Sequence, residues 1–244
     1  MSEHLFLRNE MLWGAAAQEK LLHSHVILFG LGGVGSYAAE CLARSGVGEM
    51  TIVDNDTVSV TNRNRQLEAL ESTTGQRKTD AVAARLLDIN PALVVHPIFG
   101  TYNAENRGMF FHDGAAYDYI ADAIDLVSCK LDLAETARRL GIPMIMTLGT
   151  GNKLDPTALT VTDISKTYGC PLARVMRKEL RSRGIEHLPV VFSPEEATEP
   201  MQTEAPPPGR RSVPASNPWL PATAGLLLGS AIVRDLIRKE RENI

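Results

Sequence analysis

The sequence predicts an α/β fold: a doubly wound, mostly parallel sheet with helices on both faces, followed by an irregular C-terminal extension. Three observations predict it. Short apolar runs alternate with helical stretches from His25 to Thr147, a glycine-rich turn joins the first run directly to a helix, and an aspartate ends the second run. Alternation of this kind implies parallel strands, because each crossover helix returns the chain to the same edge of the sheet.

The elements follow in order. "HVILF" (25–29), "MTIVD" (50–54), "LVVHPI" (93–98), "YDYIAD" (117–122) and "PMIMT" (143–147) read as strands. Their nearly continuous apolar character marks a sheet covered on both faces. An N-terminal helix precedes them. A second helix runs from about Val34 to Ser45, stopped by Gly46 and Gly48, and a longer one from about Gly75 to Ile89, ended by Asn90-Pro91. "CKLDLAETARRLG" (129–141) is amphipathic, with two arginines in its last turn and a glycine stop. "ALTVTDI" (158–164) is a candidate strand and "PLARVMRKELRSRG" (171–184) a basic helix. Residues 193–218 are proline-rich, acidic and without periodicity, which predicts an exposed loop. A closing helix runs from Ala222 to about Glu240. The expected division is 1–165 as a nucleotide-binding core with its N-terminal helix, and 166–244 as an extension packed on the same domain.

Composition sets the bounds. A chain of 244 residues with 44% hydrophobic content can bury a large core. A net charge of −4 gives no global attraction to nucleic acid, so such a partner must meet a local basic patch. Three widely spaced cysteines (Cys41, Cys129, Cys170) make neither a disulfide framework nor a C-x-x-C metal knuckle, and point to a reducing cytosol. The N-terminus is broken by Glu3, Arg8 and Glu10, unlike a signal peptide, and the apolar run 220–233 is too short to span a bilayer. The expectation is a soluble, cytoplasmic protein with no membrane partner.

The chemistry begins at the turn. Gly30, Gly32 and Gly35, with Gly33 between them, form G-x-G-x-x-G between strand and helix. Such a backbone approaches phosphate closely, and the helix start aims N–H groups at the anion. Asp54, ending the second strand, is placed to accept hydrogen bonds from ribose hydroxyls. These two features fit NAD and ATP alike. The stretch 58–82 separates them: it supplies Asn62, Arg65, Gln66 and Lys78. A triphosphate attacked by a carboxylate must first be neutralised, a task for arginine forks and a lysine, whereas a hydride-transferring enzyme has no such need. Arg63 reads as a solvated surface residue. Asp125 lies just past the fourth strand, at the carboxyl edge where open α/β sheets bind ligands, and suits magnesium. Asp122 is either a second ligand or a strand-end carboxylate bonded to backbone.

"GLGGVGS", "VDNDTVSVTNRNRQ", "GQRKTDA", "INP" and "DAIDLVSCK" together resemble the ThiF/MoeB/HesA adenylating enzymes of the ubiquitin-activating superfamily, over about the first 165 residues. The resemblance implies a Rossmann-like fold that binds ATP and Mg2+. It makes the glycine turn the phosphate cradle and Asp54 the ribose ligand. It places Asn62, Arg65 and Lys78 on the phosphates and Asp125 on the metal. Arg8 matches the arginine that such enzymes supply to a neighbouring subunit, implying a homodimer with sites completed in trans. Arg65, Lys78, Asp125 and Arg8 are thus the implied catalytic set.

Absences narrow the choice. There are no paired C-x-x-C zinc ligands, and residues 193–218 contain no cysteine for a thioester. Cys129 stands at a helix start, where a thiol pKa can fall, although a packed thiol is commoner. "FLRNEMLWG", "ARSGVGEMTIVDND" and the stretch from Ile142 to Ile185 look like the tRNA threonylcarbamoyladenosine dehydratases, extending the match to about residue 192. That likeness implies ATP-driven activation of the threonylcarbamoyl carboxylate at tRNA position 37, then ring closure by a tethered group that needs no protein nucleophile. The alternative is an adenylyltransferase acting on the C-terminus of a ubiquitin-like sulfur carrier, with a sulfur-transfer protein as a further candidate partner. For tRNA, Arg174, Arg177, Lys178 and Arg181 share one helical face, a phosphate-contact surface weighed evenly against an ordinary solvated face. Arg210 and Arg211 extend the patch if the loop folds over it. Trp219 is a candidate for base stacking, against the commoner role of packing at a helix entrance.

The purified protein is therefore expected to bind ATP with Mg2+ in preference to NAD or NADP. Equilibrium titration with both nucleotide classes checks this, and a clear preference for a nicotinamide dinucleotide would overturn the reading.

Overall fold

The structure, a computed structural model, describes residues 4–201 and 213–238. Two short helices, α1 (Leu7–Trp13) and α2 (Ala15–Leu22), lead into β1 (His25–Phe29), α3 (Gly35–Ser45) and β2 (Glu49–Asp54). The chain continues through α4 (Lys78–Ile89), β3 (Val94–Phe99), α5 (Arg107–Phe110), β4 (Tyr119–Asp122), α6 (Val127–Leu140) and β5 (Met144–Thr147). It closes with β6 (Thr160–Asp163), α7 (Pro171–Ser182), β7 (Pro189–Phe192) and α8 (Trp219–Leu236). The seven strands lie in the order β3-β2-β1-β4-β5-β7-β6, with every neighbour pair parallel except β6 with β7. The predicted doubly wound α/β sheet is borne out.

Strand β1 shows why the apolar runs lack alternation. Val26 and Leu28 enter a core shared with α2, α3, α4 and α8, while Ile27 and Phe29 enter a second core with α5, α6 and α7. Both faces are dry, so both sets of side chains are apolar. The glycine stops act as read: Gly46 and Gly141 cap α3 and α6 in the left-handed conformation, at φ 91° and 67°. Edge strand β3 carries Pro97, which costs no ladder bond where one side of the strand is open.

Three expectations need adjustment. Helix α4 begins at Lys78 rather than near Gly75, because residues 75–77 pair with 57–58 instead: Gly75 N–H donates to the Val58 carbonyl and Val58 N–H to Gln76. Strand β7 is an element the sequence reading omits; its apolar run is only four residues, and pairing with β5 and β6 supplies what local pattern does not. The segment 193–218 is not simply an exposed loop where it is described. Thr198 N–H donates to the Asn152 carbonyl (2.7 Å), Asn152 N–H to Ala215 (2.9 Å) and Lys153 Nζ to Ser193 (2.7 Å). Arg210 and Arg211 lie outside the described residues.

The turn after β1 is set by contact. Gly30 has φ 88°, and a Cβ there would stand 2.7 Å from the Ala123 carbonyl oxygen; a Cβ on Gly35 would stand 1.8 Å from the Gly30 oxygen. Neither backbone neighbour can yield. At the other end of the chain α8 presses equally close, with Gly225 against the Val34 carbonyl and Gly229 against Cys41.

Gly35→Ala is expected to destabilise the fold by about 3 kcal/mol or more. Gly108→Ala, with nothing within 4 Å of its added Cβ, should change stability by less than about 0.5 kcal/mol. Urea unfolding of both variants checks the contrast.

Candidate active site

At the carboxyl edge of the sheet, β1 and β4 are neighbours although the chain departs from them in opposite directions along the sheet. The crevice at such a switch point is where open α/β folds bind ligands. Here it is a cavity of about 940 Å3. Its lining gathers Gly30, Gly32 and Gly33 of the turn, Asp54, then Asn62, Arg65, Gln66 and Lys78, and Asp125 after β4. Residues separated by almost a hundred positions meet because each of the parallel strands delivers its following loop to the same edge. Gly35 is buried beneath the turn, where it lets the helix start close against Gly30.

Asp54 is the anchor. Its side chain is nearly buried; Oδ2 accepts from Leu31 N–H (2.7 Å) and Oδ1 from Asp56 N–H (2.8 Å). Each carboxylate oxygen retains a second acceptor site, so ribose hydroxyls can still be bound. Lys78, at 4% exposure, begins α4 with its ammonium 2.8 Å from Asp56 and 4.0 Å from Asp54. Arg65 is half-buried, and its Nη1 donates to the Thr61 carbonyl and Asn64 Oδ1, both at 2.9 Å. Burial lowers the Arg65 pKa from its ordinary value, against the pull of Glu68. The Asn62 side-chain Oδ1 accepts from Ser59 N–H (3.1 Å) and shapes the turn that presents Arg65. Arg63 is exposed and pairs with Glu71, as expected of a surface residue.

Two buried acceptors in the cavity wall, Gln66 Oε1 and Thr147 Oγ1, have no partner in the structure. Unpartnered buried polar atoms are costly, and here they face a volume suited to a polar ligand. No side chain stands closer than 3.6 Å to the place a Gly32 Cβ would occupy, and that neighbour is Gln66 Nε2. The donor set, cations plus open backbone at a helix start, fits a nucleoside triphosphate. Asp125, exposed on the rim two residues before α6, presents a carboxylate of the kind that can hold a divalent cation.

Asp122 does not join it. The side chain is fully buried, with Oδ2 3.1 Å from Lys130 Nζ and Oδ1 accepting from Ile124 N–H (2.9 Å). Burial raises its pKa and Lys130 opposes that rise. Lys130 also donates to the Thr147 carbonyl (2.7 Å), tying the ends of β4 and β5 to α6. Sequence reading assigned this lysine no role. The available signal was a charged residue on the inner face of an otherwise apolar helix turn. Cys129 touches the cavity, but its thiol donates to the Tyr102 carbonyl (2.9 Å) and burial pushes its pKa up, so of the two outcomes weighed for it the packed thiol is the one the structure holds.

Arg8 is exposed on α1. Asn9 of that helix bonds the Arg44 carbonyl at the end of α3, which sets α1 at the opposite end of the domain from the cavity. Arg8 is not among the lining residues of its own site. On α7, Arg174, Lys178 and Arg181 are exposed, whereas Arg177 turns inward and donates to the Thr167 carbonyl (2.6 Å) and hydroxyl (2.7 Å). The Trp219 indole donates to the Leu154 carbonyl (2.8 Å) while its ring stays half-exposed.

A glycine turn, a ribose-type carboxylate, buried cations and a rim carboxylate at the switch point define a nucleotide-binding α/β protein of the adenylating kind. The chain belongs to the ThiF family, whose model matches residues 6–238. It is 41% identical to the tRNA threonylcarbamoyladenosine dehydratase of Bacillus subtilis (strain 168), over 96% of this chain and 95% of that protein. It is also 41% identical to the Escherichia coli (strain K12) protein of the same name, over 70% of this chain and 63% of that one. The structure of the E. coli dehydratase in complex with ATP matches with a TM-score of 0.86 at 33% identity, covering 98% of this chain and 96% of that chain. The family resemblance carried by the motifs is borne out. Among the described residues no helix is long and apolar enough to cross a membrane.

Glu68 sits behind the phosphate turn at 2% exposure, with neither carboxylate oxygen hydrogen-bonded, and burial raises its pKa to about 7. The unfolded chain ionises this group near its ordinary value of 4.5, so between those limits the folded state holds the extra proton. Stability is then full at low pH and falls as pH rises through about 7, by about 3 kcal/mol. Glu68→Gln should remove that loss. Denaturant unfolding of both proteins at pH 5 and pH 8 checks it; parallel pH dependences would contradict the assignment.

Proposed function

We propose that this chain is an ATP-dependent tRNA threonylcarbamoyladenosine dehydratase. It activates the side-chain carboxylate of threonylcarbamoyladenosine at tRNA position 37 and drives its cyclisation. The observation that carries the reading is the convergence of Gly32, Asp54, Asn62, Arg65, Lys78 and Asp125 on one cavity, in a chain that matches the Bacillus subtilis dehydratase nearly end to end.

In this reading the carboxylate attacks the α-phosphorus of ATP and pyrophosphate departs. The tethered carbamoyl group then attacks the activated acyl carbon and AMP leaves, so the nucleoside loses one water. Asp125 would hold Mg2+ accompanying the nucleotide, and that ion would supply charge neutralisation at the phosphates. The rest belongs to side chains. Asp54 holds the ribose and Gln66 contributes an acceptor in the cavity wall. Lys78 exchanges its contact with Asp56 for phosphate oxygen, and Arg65 adds a second positive charge, letting one anion approach another. Ring closure requires no protein nucleophile, in keeping with a Cys129 thiol held protonated by burial. Pro214, Ala215 and Ser216 also line the cavity and bear on substrate choice. The exposed Arg174, Lys178 and Arg181, less Arg177, are the phosphate contacts proposed for tRNA. In this reading Arg8, remote from its own cavity, is supplied to the neighbouring subunit's site in a homodimer, as the family resemblance implies.

The deciding experiment is digestion of tRNA to nucleosides after incubation with protein, ATP and Mg2+. Loss of one water from threonylcarbamoyladenosine is expected. Persistence of that nucleoside, with adenylation of a sulfur carrier's C-terminus instead, would establish the alternative. Asp125→Ala should lower turnover at least about a hundredfold while nucleotide binding weakens far less. Mixing inactive Arg8→Ala with inactive Lys78→Ala should restore activity, since one mixed site then holds both groups. No recovery despite subunit exchange would make each site self-contained.

A further inference from the structure

Strands β1, β2 and β3 begin at the edge of the sheet opposite the nucleotide cavity. Their parallel register sets His25 beside Glu49 and Thr51 beside His96. Positions 49 and 51 share a face by the two-residue period of a strand, so His25, Glu49, Thr51 and His96 all project from one side of the sheet. One ligand-capable atom from each of His25, Glu49 and His96 lies within 4.8 Å of the other two. Glu49 Oε1 stands 2.8 Å from His96 Nε2 and 3.5 Å from His25 Nδ1. Bonds of about 2.0–2.2 Å to a tetrahedral zinc ion place neighbouring ligand atoms about 3.3–3.5 Å apart. The three groups therefore need only small rotations to converge on one ion.

We propose that His25, Glu49 and His96 bind a divalent transition-metal ion of the zinc type, which clips edge strand β3 to β2 and β1. Two imidazoles and one carboxylate suit a borderline ion and not Mg2+, which prefers an all-oxygen octahedron. The site is also prepared behind its ligands. Thr51 Oγ1 engages His25 Nε2 at 2.9 Å and turns Nδ1 toward Glu49, the second-shell arrangement that orients metal-bound imidazoles. The Tyr117 ring packs edge-on at 4.7 Å, and the Asp118 carboxylate holds the His25 backbone N–H at 2.8 Å. His96 and Glu49 are half-exposed, which leaves an entry path and a fourth position for water. The remaining histidines, at 4, 23, 112 and 187, lie in connecting segments outside these three strands.

Untagged, metal-stripped full-length protein titrated with Zn2+ in excess Mg2+ tests this by calorimetry and thermal unfolding. One Zn2+ per chain is expected at micromolar Kd or tighter, with a rise in Tm on saturation. His96→Ala and Glu49→Gln, both at half-exposed positions, should each weaken binding about tenfold or more and abolish the Tm rise. Asp125→Ala should bind Zn2+ as the unaltered protein does, which separates this site from the nucleotide metal. Millimolar affinity only, or unchanged affinity in both ligand variants, would overturn the proposal and leave the cluster as a hydrogen-bonded trio.

Discussion

The shape of the nucleotide crevice depends on one buried carboxylate. Asp54 receives the backbone N–H groups of Leu31 and Asp56, so it binds the loop after β1 to the loop after β2. Hydrogen bonds to an ionised group contribute about 1.5–3 kcal/mol each, and in a nearly buried position they are also directional. The same carboxylate lies 4.0 Å from the Lys78 ammonium, which is itself 2.8 Å from Asp56. Without that negative pair, a lysine at 4% exposure would pay a desolvation cost with nothing to offset it. The cation that suits phosphate is thus held close to the residue that suits ribose.

Above this knot the turn is held from two directions. Its glycines press against Ala123 at the start of the β4 loop, and from the other side α8 lies on α3 through Gly225 and Gly229, bringing Pro221 to within van der Waals range of Gly33. The last helix of the chain therefore supports the phosphate turn near its beginning. Segment 213–218 continues the same wall, pinned to the loop after β5 through Asn152 and by Asn217 donating to the Lys153 carbonyl. Lys130 closes the floor by joining β4, β5 and α6. In the cavity wall the Lys78 ammonium is paired with the Asp54 and Asp56 carboxylates while the space in front of them stays open.

Much of this was legible in the chain itself. The strands announced themselves because burial on both faces leaves no room for polar alternation, and helix ends because only glycine relaxes into the left-handed cap. The phosphate turn and Asp54 were legible because their roles belong to backbone geometry within a few residues. Harder to read were features whose cause is distant. Strand β7 is four residues long and exists through its neighbours. The start of α4 moved because residues 75–77 found partners at 57–58. Asp122 and Cys129 look available in the sequence and are engaged in space, and Arg177 leaves the basic face for Thr167.

The sequence by itself determined the alternation of strand and helix, the glycine bend, and the inventory of cations and carboxylates that marks an adenylating enzyme. These are local consequences of periodicity, backbone freedom and charge. Only the tertiary structure decided which of those charges face the cavity and which neutralise each other behind it. It alone placed Arg8 far from its own site and aligned two histidines and a glutamate on three neighbouring strands. The physical reason is the same throughout: a side chain's protonation and partners follow from what is packed against it, and packing partners lie up to two hundred residues apart along the chain.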